Sequence, residues 1–409
     1  MMGRLGGILK RMPFFLIVMT VFAVTGLLTK PGMAQEEPLP DTVQQAIDYL
    51  LDVNGSPETK TILPARLSPL VDFILKEKPT ESQYVATSDG LLDPLVYHEF
   101  EVRQSLSTIL RYALNPAIPA HVLALSSIRL AYWKEVDGRP GPFPKELSDR
   151  LAALQAPFVI HGIEHEEITP DLTSGAYYSY DADRTLIILR VADRPVWISL
   201  GRQRNISDVG RKGYVLGQDD DWDYLYSGEK GISLLGLGWI ETYMYDAFSA
   251  LVFVQENDAI PRVRCGAFKW LRAGWNDMNF VKPEHIRNGL KRYADTFQEI
   301  MGAPELPAPS QIASAFEAIS TLSRGRMQDA ARRRLKELAM RYGNKDQFPN
   351  DWYEEDVING SYLNTLSRPQ LEAILFLDYM KDALGRQPDP DRKLAQAGRH
   401  GERAVPRED

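Results

Sequence analysis

The sequence predicts an α+β protein with an N-terminal helical region, a central antiparallel β-sheet rich in aromatic residues, and a C-terminal helical region that packs against that sheet. Three observations carry this expectation. Apolar residues recur at three- and four-residue spacing towards both ends of the chain, and β-branched and aromatic clusters bounded by turn residues fill the middle. The connectors between those clusters are too short for a helical crossover, so neighbouring strands should run antiparallel.

The chain opens on an export signal. Arg4, Lys10 and Arg11 precede an apolar run from Pro13 to Leu28, and Gly32-Met33-Ala34 supplies small residues for cleavage before Gln35. The run is 16 residues long, short of the roughly 20 that span a bilayer. Residues 1–34 therefore read as a cleavable signal peptide of an exported, periplasmic protein, with no stable transmembrane segment after cleavage. Lys30, a charge close to the cut, points to the alternative of an inner-membrane anchor through an uncleaved signal.

Cleavage removes four basic residues and no acidic ones, taking the formal net charge from −8 to −12. Such an excess of carboxylates opposes general binding to a phosphate backbone, so nucleic acid is not an expected partner. Cys265 is the sole cysteine and has no intramolecular disulfide partner. Its apolar neighbours mark it as a small buried hydrophobe.

Residues 35–137 form the N-terminal helical region. Asp41 opens a helix carrying Val43, Ile47, Leu50 and Leu51 on one face. Further stripes follow at Leu67, Leu70, Ile74 and Leu75, at Val102, Leu106, Ile109, Leu110 and Ala113, and at Val122, Leu125, Ile128 and Tyr132. Asn115-Pro116 and Ile118-Pro119 separate the last two. The run Asp137-Gly138-Arg139-Pro140-Gly141-Pro142-Phe143-Pro144 breaks any regular element, and a boundary is placed there.

Residues 145–281 form the central region. After a short helix, strands are expected at Phe158–Ile168, Ala176–Tyr180, Thr185–Val191, Val196–Leu200 and Tyr214–Leu216. Asp181-Ala182-Asp183-Arg184 and Ala192-Asp193-Arg194-Pro195 read as the turns of a meander. Ala250–Glu256 and Arg262–Trp270 form a hairpin about Asn257-Asp258.

Residues 282–385 are helical again. Pro283 opens a helix with Ile286, Leu290, Tyr293, Phe297 and Ile300 in register, closed by Gly302. Ser310 opens a second, Arg324–Tyr342 is a basic third, and Ser367 caps a fourth with Pro369 in its first turn. Residues 386–409 lack periodicity and read as a disordered tail.

Four features bear on function. His161-Gly162-Ile163-Glu164-His165 spells the H-x-x-E-H pattern of inverted zinc peptidases, which needs a helix to bring both imidazoles to one zinc. Its flanks favour a strand instead, which would set the two histidines some 13 Å apart, so no metal site is assigned. Tyr and Trp are concentrated between Tyr177 and Trp275, 13 of 25 in about a quarter of the chain. Rings alternate there with polar groups at Trp222, Tyr224 and Tyr226 and at Trp239, Glu241 and Tyr243. Aromatic faces and carboxylates in that pattern suit a sugar, which makes these six the candidate binding residues and a glycan the candidate ligand.

Asp219, Asp220, Asp221 and Asp223 crowd one loop without the spacing of a calcium-binding loop, and read as a solvated acidic turn. The basic helix has Arg324, Arg326, Arg332, Arg333, Arg334, Lys336 and Arg341, a solvated face or a dock for an acidic envelope partner. His98, His121, His285 and His400 are scattered and read as surface or helix-terminal residues. No nucleophile elbow, phosphate-binding loop or dinucleotide fingerprint is present, so no cofactor is called for.

The function expected from these features is a non-catalytic binding or structural role in the cell envelope, since binding demands the least of the residues present. The competing class is an exported hydrolase acting on glycans or peptides, through Glu241 and Asp246 or through His161 and His165.

Overall fold

A computed structural model describes residues 36–386, except positions 57, 59–60, 78–82, 87–94, 172–173, 235–237, 257–260, 346, 350–351, 354–356 and 358. The expected signal peptide (1–34), the expected turn at Asn257-Asp258 and all but the first residue of the expected disordered tail (386–409) lie outside the described residues. The strands are β1 (Glu36–Pro38), β2 (Gln83–Ala86), β3 (Leu95–Val102), β4 (Ile128–Val136), β5 (Arg139–Pro140), β6 (Phe158–Ile168), β7 (Ala176–Tyr177), β8 (Ser179–Val191), β9 (Arg194–Gln203), β10 (Arg211–Leu216), β11 (Asp223–Lys230), β12 (Ile232–Leu234), β13 (Gly238–Ile240), β14 (Tyr243–Gln255), β15 (Val263–Trp275) and β16 (Met278–Asn279). The helices are α1 (Asp41–Asn54), α2 (Pro64–Leu75), α3 (Leu106–Ala113), α4 (Lys145–Ala152), α5 (Pro283–Gly302), α6 (Pro309–Ser320), α7 (Arg324–Tyr342), α8 (Ser361–Thr365) and α9 (Arg368–Ala383).

The protein is α+β, with helices at both ends and a central antiparallel sheet. That sheet runs β1-β2-β3-β15-β14-β9-β8-β6-β4-β5, with β16 added beside β15. All its pairings are antiparallel except β1 with β2. Smaller sheets, β11-β10-β7 and β12-β13, stand apart from it. Tight hairpins hold the meander together. Ala192 and Asp193 between β8 and β9, Asp137 and Gly138 between β4 and β5, and Asn276 and Asp277 between β15 and β16 all have positive φ, the twist that two-residue hairpins require.

Both faces of the sheet are covered. Because side chains alternate along a strand, Ile187, Leu189, Ile198, Val252, Phe268 and Tyr97 enter one core with Val43, Ile47 and Leu50 of α1 and Leu67, Leu70 and Ile74 of α2. Leu186, Ile188, Trp197, Phe253, Cys265 and Phe100 enter a second with α3 and the C-terminal helices. Two buried faces explain why the strand sequences read as near-continuous apolar runs rather than alternating ones. At the centre of the second core Phe253 stacks on Trp197 at 4.5 Å and meets Phe297 of α5 at 5.5 Å.

Three local expectations are corrected. Val122–Tyr132 is not a helix: Val122 N–H bonds to Pro119 O, Ala124 to His121 O and Ser127 to Ala124 O, a chain of four-residue turns that leads into β4. Turns closed at that spacing place Val122, Leu125 and Ile128 three apart, which imitates a helical stripe. Val102 ends strand β3 rather than starting a helix, since Ser105 caps α3 by accepting the Thr108 N–H at 3.1 Å. Asp181–Arg184 is not a turn but part of β8, where its charges find partners across the ladder on β6 and β4. The Gly/Pro-rich stretch at 137–144 carries the β4–β5 hairpin, and β4 and β6 on its two sides pair within the same sheet. Among the described residues, no helix is long and apolar enough to cross a membrane.

Candidate functional site

The candidate site lies along β4, built by the loop that leads into it. Asn115 Oδ1 accepts the Ala117 N–H at 3.0 Å, and Ile118 N–H reaches Asn115 O at 3.2 Å, so the prolines at 116 and 119 sit in a folded rather than extended segment. The loop brings His121 against the strand, where Nδ1 accepts the Ala131 N–H at 3.1 Å. A backbone group outside the β4–β6 ladder is thereby satisfied.

Between this loop, β4 and α9 is a cavity of about 280 Å³. That is close to the lower end of the roughly 300–1,000 Å³ typical of small-molecule sites. Its walls are Leu114, Pro116, Ile118, Pro119, Leu130, Tyr132, Trp133, Phe143, Phe316 and Ala373, with His121 and Glu372 as the ionisable groups. Trp133 packs on Phe143 at 5.2 Å, and Phe316 meets Phe376 edge-on at 5.6 Å. Tyr132, 43% exposed, is the wall ring most open to solvent. Glu372 is taken up by an ion pair with Arg368 at 3.0 Å.

His121 gives the cavity its polarity. Only 3% of the residue is exposed, and burial pushes the imidazole pKa down to about 4, so it is neutral at pH 7. Since Nδ1 accepts from backbone, the proton must reside on Nε2. Among the described residues no acceptor meets that Nε2–H. The cavity is thus a mostly apolar chamber with a deeply buried, fixed donor in its wall, beside the more exposed Asn115, Tyr132 and Trp133. A larger cleft of about 480 Å³ across the same loop is lined by Ser107, Arg111, Lys145, Ser148 and Asp149, but its Lys145–Asp149 pair is largely exposed.

The six candidate residues read from the sequence do not share one cleft. Trp222, Tyr224 and Tyr226 are buried in the second core, at 1%, 7% and 6% exposure. The Arg386 guanidinium lies 3.6 Å from the Trp222 ring, the Arg129 guanidinium 3.7 Å from that of Tyr226, and Tyr224 donates to Ser126 O at 3.2 Å. Trp239, Glu241 and Tyr243 are instead near the surface. Trp239 is 53% exposed and donates to Lys230 O, while Tyr243 donates to Glu241 at 3.1 Å. Asp246 pairs with Arg202 at 3.4 Å.

His161 and His165 stand on strand β6, not on a helix. His161 Nδ1 meets Thr185 Oγ1 at 2.9 Å, and His165 Nδ1 meets Asp181 Oδ1 at 2.8 Å, on separate rungs of the β6–β8 ladder. Among the described residues, no cluster of three or more His, Cys, Asp or Glu side chains is placed to hold a metal.

The acidic loop and the basic helix, read separately from the sequence as solvated, meet each other. Asp223 has no exposed side-chain surface and accepts from Arg334 at 2.5 Å, Lys381 at 2.6 Å, Arg341 at 2.8 Å and Tyr342 at 3.0 Å. Asp378, which pairs with Arg334 at 2.9 Å, has its pKa pushed up to about 6 by burial. This network ties α7 and α9 to the small β11 sheet. Neither a protein-family model nor a curated protein matches the chain.

Proposed function

We propose that the protein is an exported binding protein of the cell envelope, without catalytic activity, that holds a small apolar molecule carrying one hydrogen-bond acceptor. The observation that carries this reading is the buried His121 Nε2–H, a donor without an acceptor among the described residues, in the wall of an aromatic-lined cavity of about 280 Å³. A carbonyl or ether oxygen on an otherwise apolar ligand satisfies that donor. A charged or polyhydroxylated molecule leaves most of its polar groups without partners against walls of this kind.

Native mass spectrometry on protein isolated from the envelope fraction tests the reading. The expected result is a mature chain starting at Gln35 that carries a small apolar adduct. The adduct should be missing from Ala373→Phe, whose ring fills the cavity. A chain without adduct that also fails to take up small aromatic ketones would rule the function out, and an intact Met1 on cytosolic material would rule out export.

A further inference from the structure

A second constellation stands on the main sheet, where strand register brings together three residues that are distant in role. By alternation Ser179 and Asp181 of β8 and His165 of β6 share the face that Ile187, Leu189 and Val159 line further along the same strands, but none of the three is part of that buried core. His165 lies opposite Asp181 and Glu167 opposite Ser179, so the serine stands on the diagonal from the imidazole, within reach of its far nitrogen. The Tyr132 ring, a wall of the His121 cavity, packs on that imidazole at 4.9 Å.

The three side chains form one line. His165 Nδ1 meets Asp181 Oδ1 at 2.8 Å, and Ser179 Oγ meets His165 Nε2 at 3.3 Å. A carboxylate only accepts, so Nδ1 carries the ring proton and the lone pair on Nε2 is left for the serine hydroxyl. Asp181 is itself held in place, since Lys134 donates to its Oδ2 at 2.7 Å. Arg204, the next cation, is paired with Asp183 at 3.2 Å. The His165 side chain is 20% exposed and that of Asp181 30%, and Ser179 is partly exposed, so hydroxyl and base are both open to a reactant. A hydroxyl bonded to a base that a carboxylate orients is the arrangement that activates serine towards a carbonyl carbon.

We infer that Ser179 is an acyl-acceptor site, its hydroxyl activated by His165 and His165 positioned by Asp181, and that the donor is an activated ester or thioester. Ser179 Oγ bonds to the carbonyl carbon as its proton passes to His165 Nε2. The C–O or C–S bond to the leaving group breaks, and the departing oxygen or sulfur takes that proton from the imidazole. The product is an alkyl ester, less activated than its donor, so the reaction ends at one group per chain. It is a modification and not a turnover, and the binding role of the His121 cavity does not depend on it.

Acetylation by p-nitrophenyl acetate, quenched in acid and mapped by peptide mass spectrometry, tests the site on the whole protein. The expected result is a burst of one p-nitrophenolate per chain with the acetyl group on Ser179, lost in Ser179→Ala and slowed roughly a hundredfold in His165→Gln. Asp181→Asn should slow it to a similar degree, because Lys134 holds the amide oxygen and turns the NH2 towards Nδ1, which drives the ring proton to Nε2. Adding Lys134→Met frees the amide to turn its oxygen back and should restore most of the rate, which a merely structural role for Asp181 would not do. Acetyl groups on lysines alone, an unchanged rate in His165→Gln, no recovery when Lys134→Met is added to Asp181→Asn, or continued release beyond one equivalent would each overturn the assignment. Ligand uptake at the His121 cavity is measured separately, so the two readings fail or stand independently.

Discussion

A single imidazole shows how burial turns an ordinary residue into an informative one. His121 was legible in the sequence only as one of several scattered histidines, because nothing in its neighbours reveals that a backbone N–H from β4 will occupy Nδ1. In the unfolded chain it titrates near 6.5 and in the fold near 4. The folded pKa is depressed, so the unfolded state binds the extra proton, and stability present above pH 6.5 is lost as pH falls towards 4. Between pH 7 and pH 4.5 the loss attributable to this group is roughly 2 kcal/mol. In His121→Asn the amide oxygen takes over the Nδ1 role without a titrating group. Urea unfolding at the two pH values should therefore show a smaller acid loss in the variant; an identical loss would contradict the assignment. Asp223 makes the complementary case. Its loop was readable as acidic and α7 as basic, but their pairing depends on contacts more than a hundred residues apart in sequence. Asp223→Asn leaves Arg334, Lys381 and Arg341 without their shared carboxylate and should cost about 3 to 5 kcal/mol in denaturant unfolding. A loss below 1 kcal/mol would show the network to be dispensable.

At the level of elements, the long strands and terminal helices were readable because their patterns are local. Ser367 accepts the Gln370 N–H as the cap of α9, and β14 and β15 pair in the expected hairpin. The cavity was not readable, because Asn115-Pro116 and Ile118-Pro119 announce only that a regular element stops. The turns that follow repeat at a spacing close to that of a helix. A usable signal lay in Ile128–Val136, whose aromatic and β-branched content favours a strand over the assigned helix. The position of β4 depends on Gly162 of β6. A Cβ there would lie 2.3 Å from Glu135 O and 2.8 Å from the Trp133 ring, beside the register shift between Trp133 and Glu135. Gly162→Ala should then cost about 1 to 3 kcal/mol and alter the near-UV signal of Trp133, a cavity wall. An unchanged spectrum at wild-type stability would mean that the strand shifts without consequence.

For the whole molecule, the sheet joins segments that the sequence reading kept apart. β3 and β4 come from the N-terminal region and pair with β15 and β6 of the central region, while α1 and α2 cover one face and the C-terminal helices the other. No local pattern announces such pairings, since β3 and β15 meet across more than 160 residues. Hydrogen exchange should find β3, β4, β6 and β15 protected to a similar degree, whereas an N-terminal third that opens on its own would contradict the single sheet. In the proposed function the scaffold presents the buried His121 Nε2–H to an apolar ligand. That reading is tested most directly by calorimetric titration of indanone and of indane, the same shape without the oxygen, into wild type and His121→Asn. Wild type should bind the ketone roughly tenfold tighter than the hydrocarbon, as one hydrogen bond of about 1.4 kcal/mol requires, and the variant should bind the two alike. A ketone preference that survives the substitution, or no binding of either compound, would contradict it.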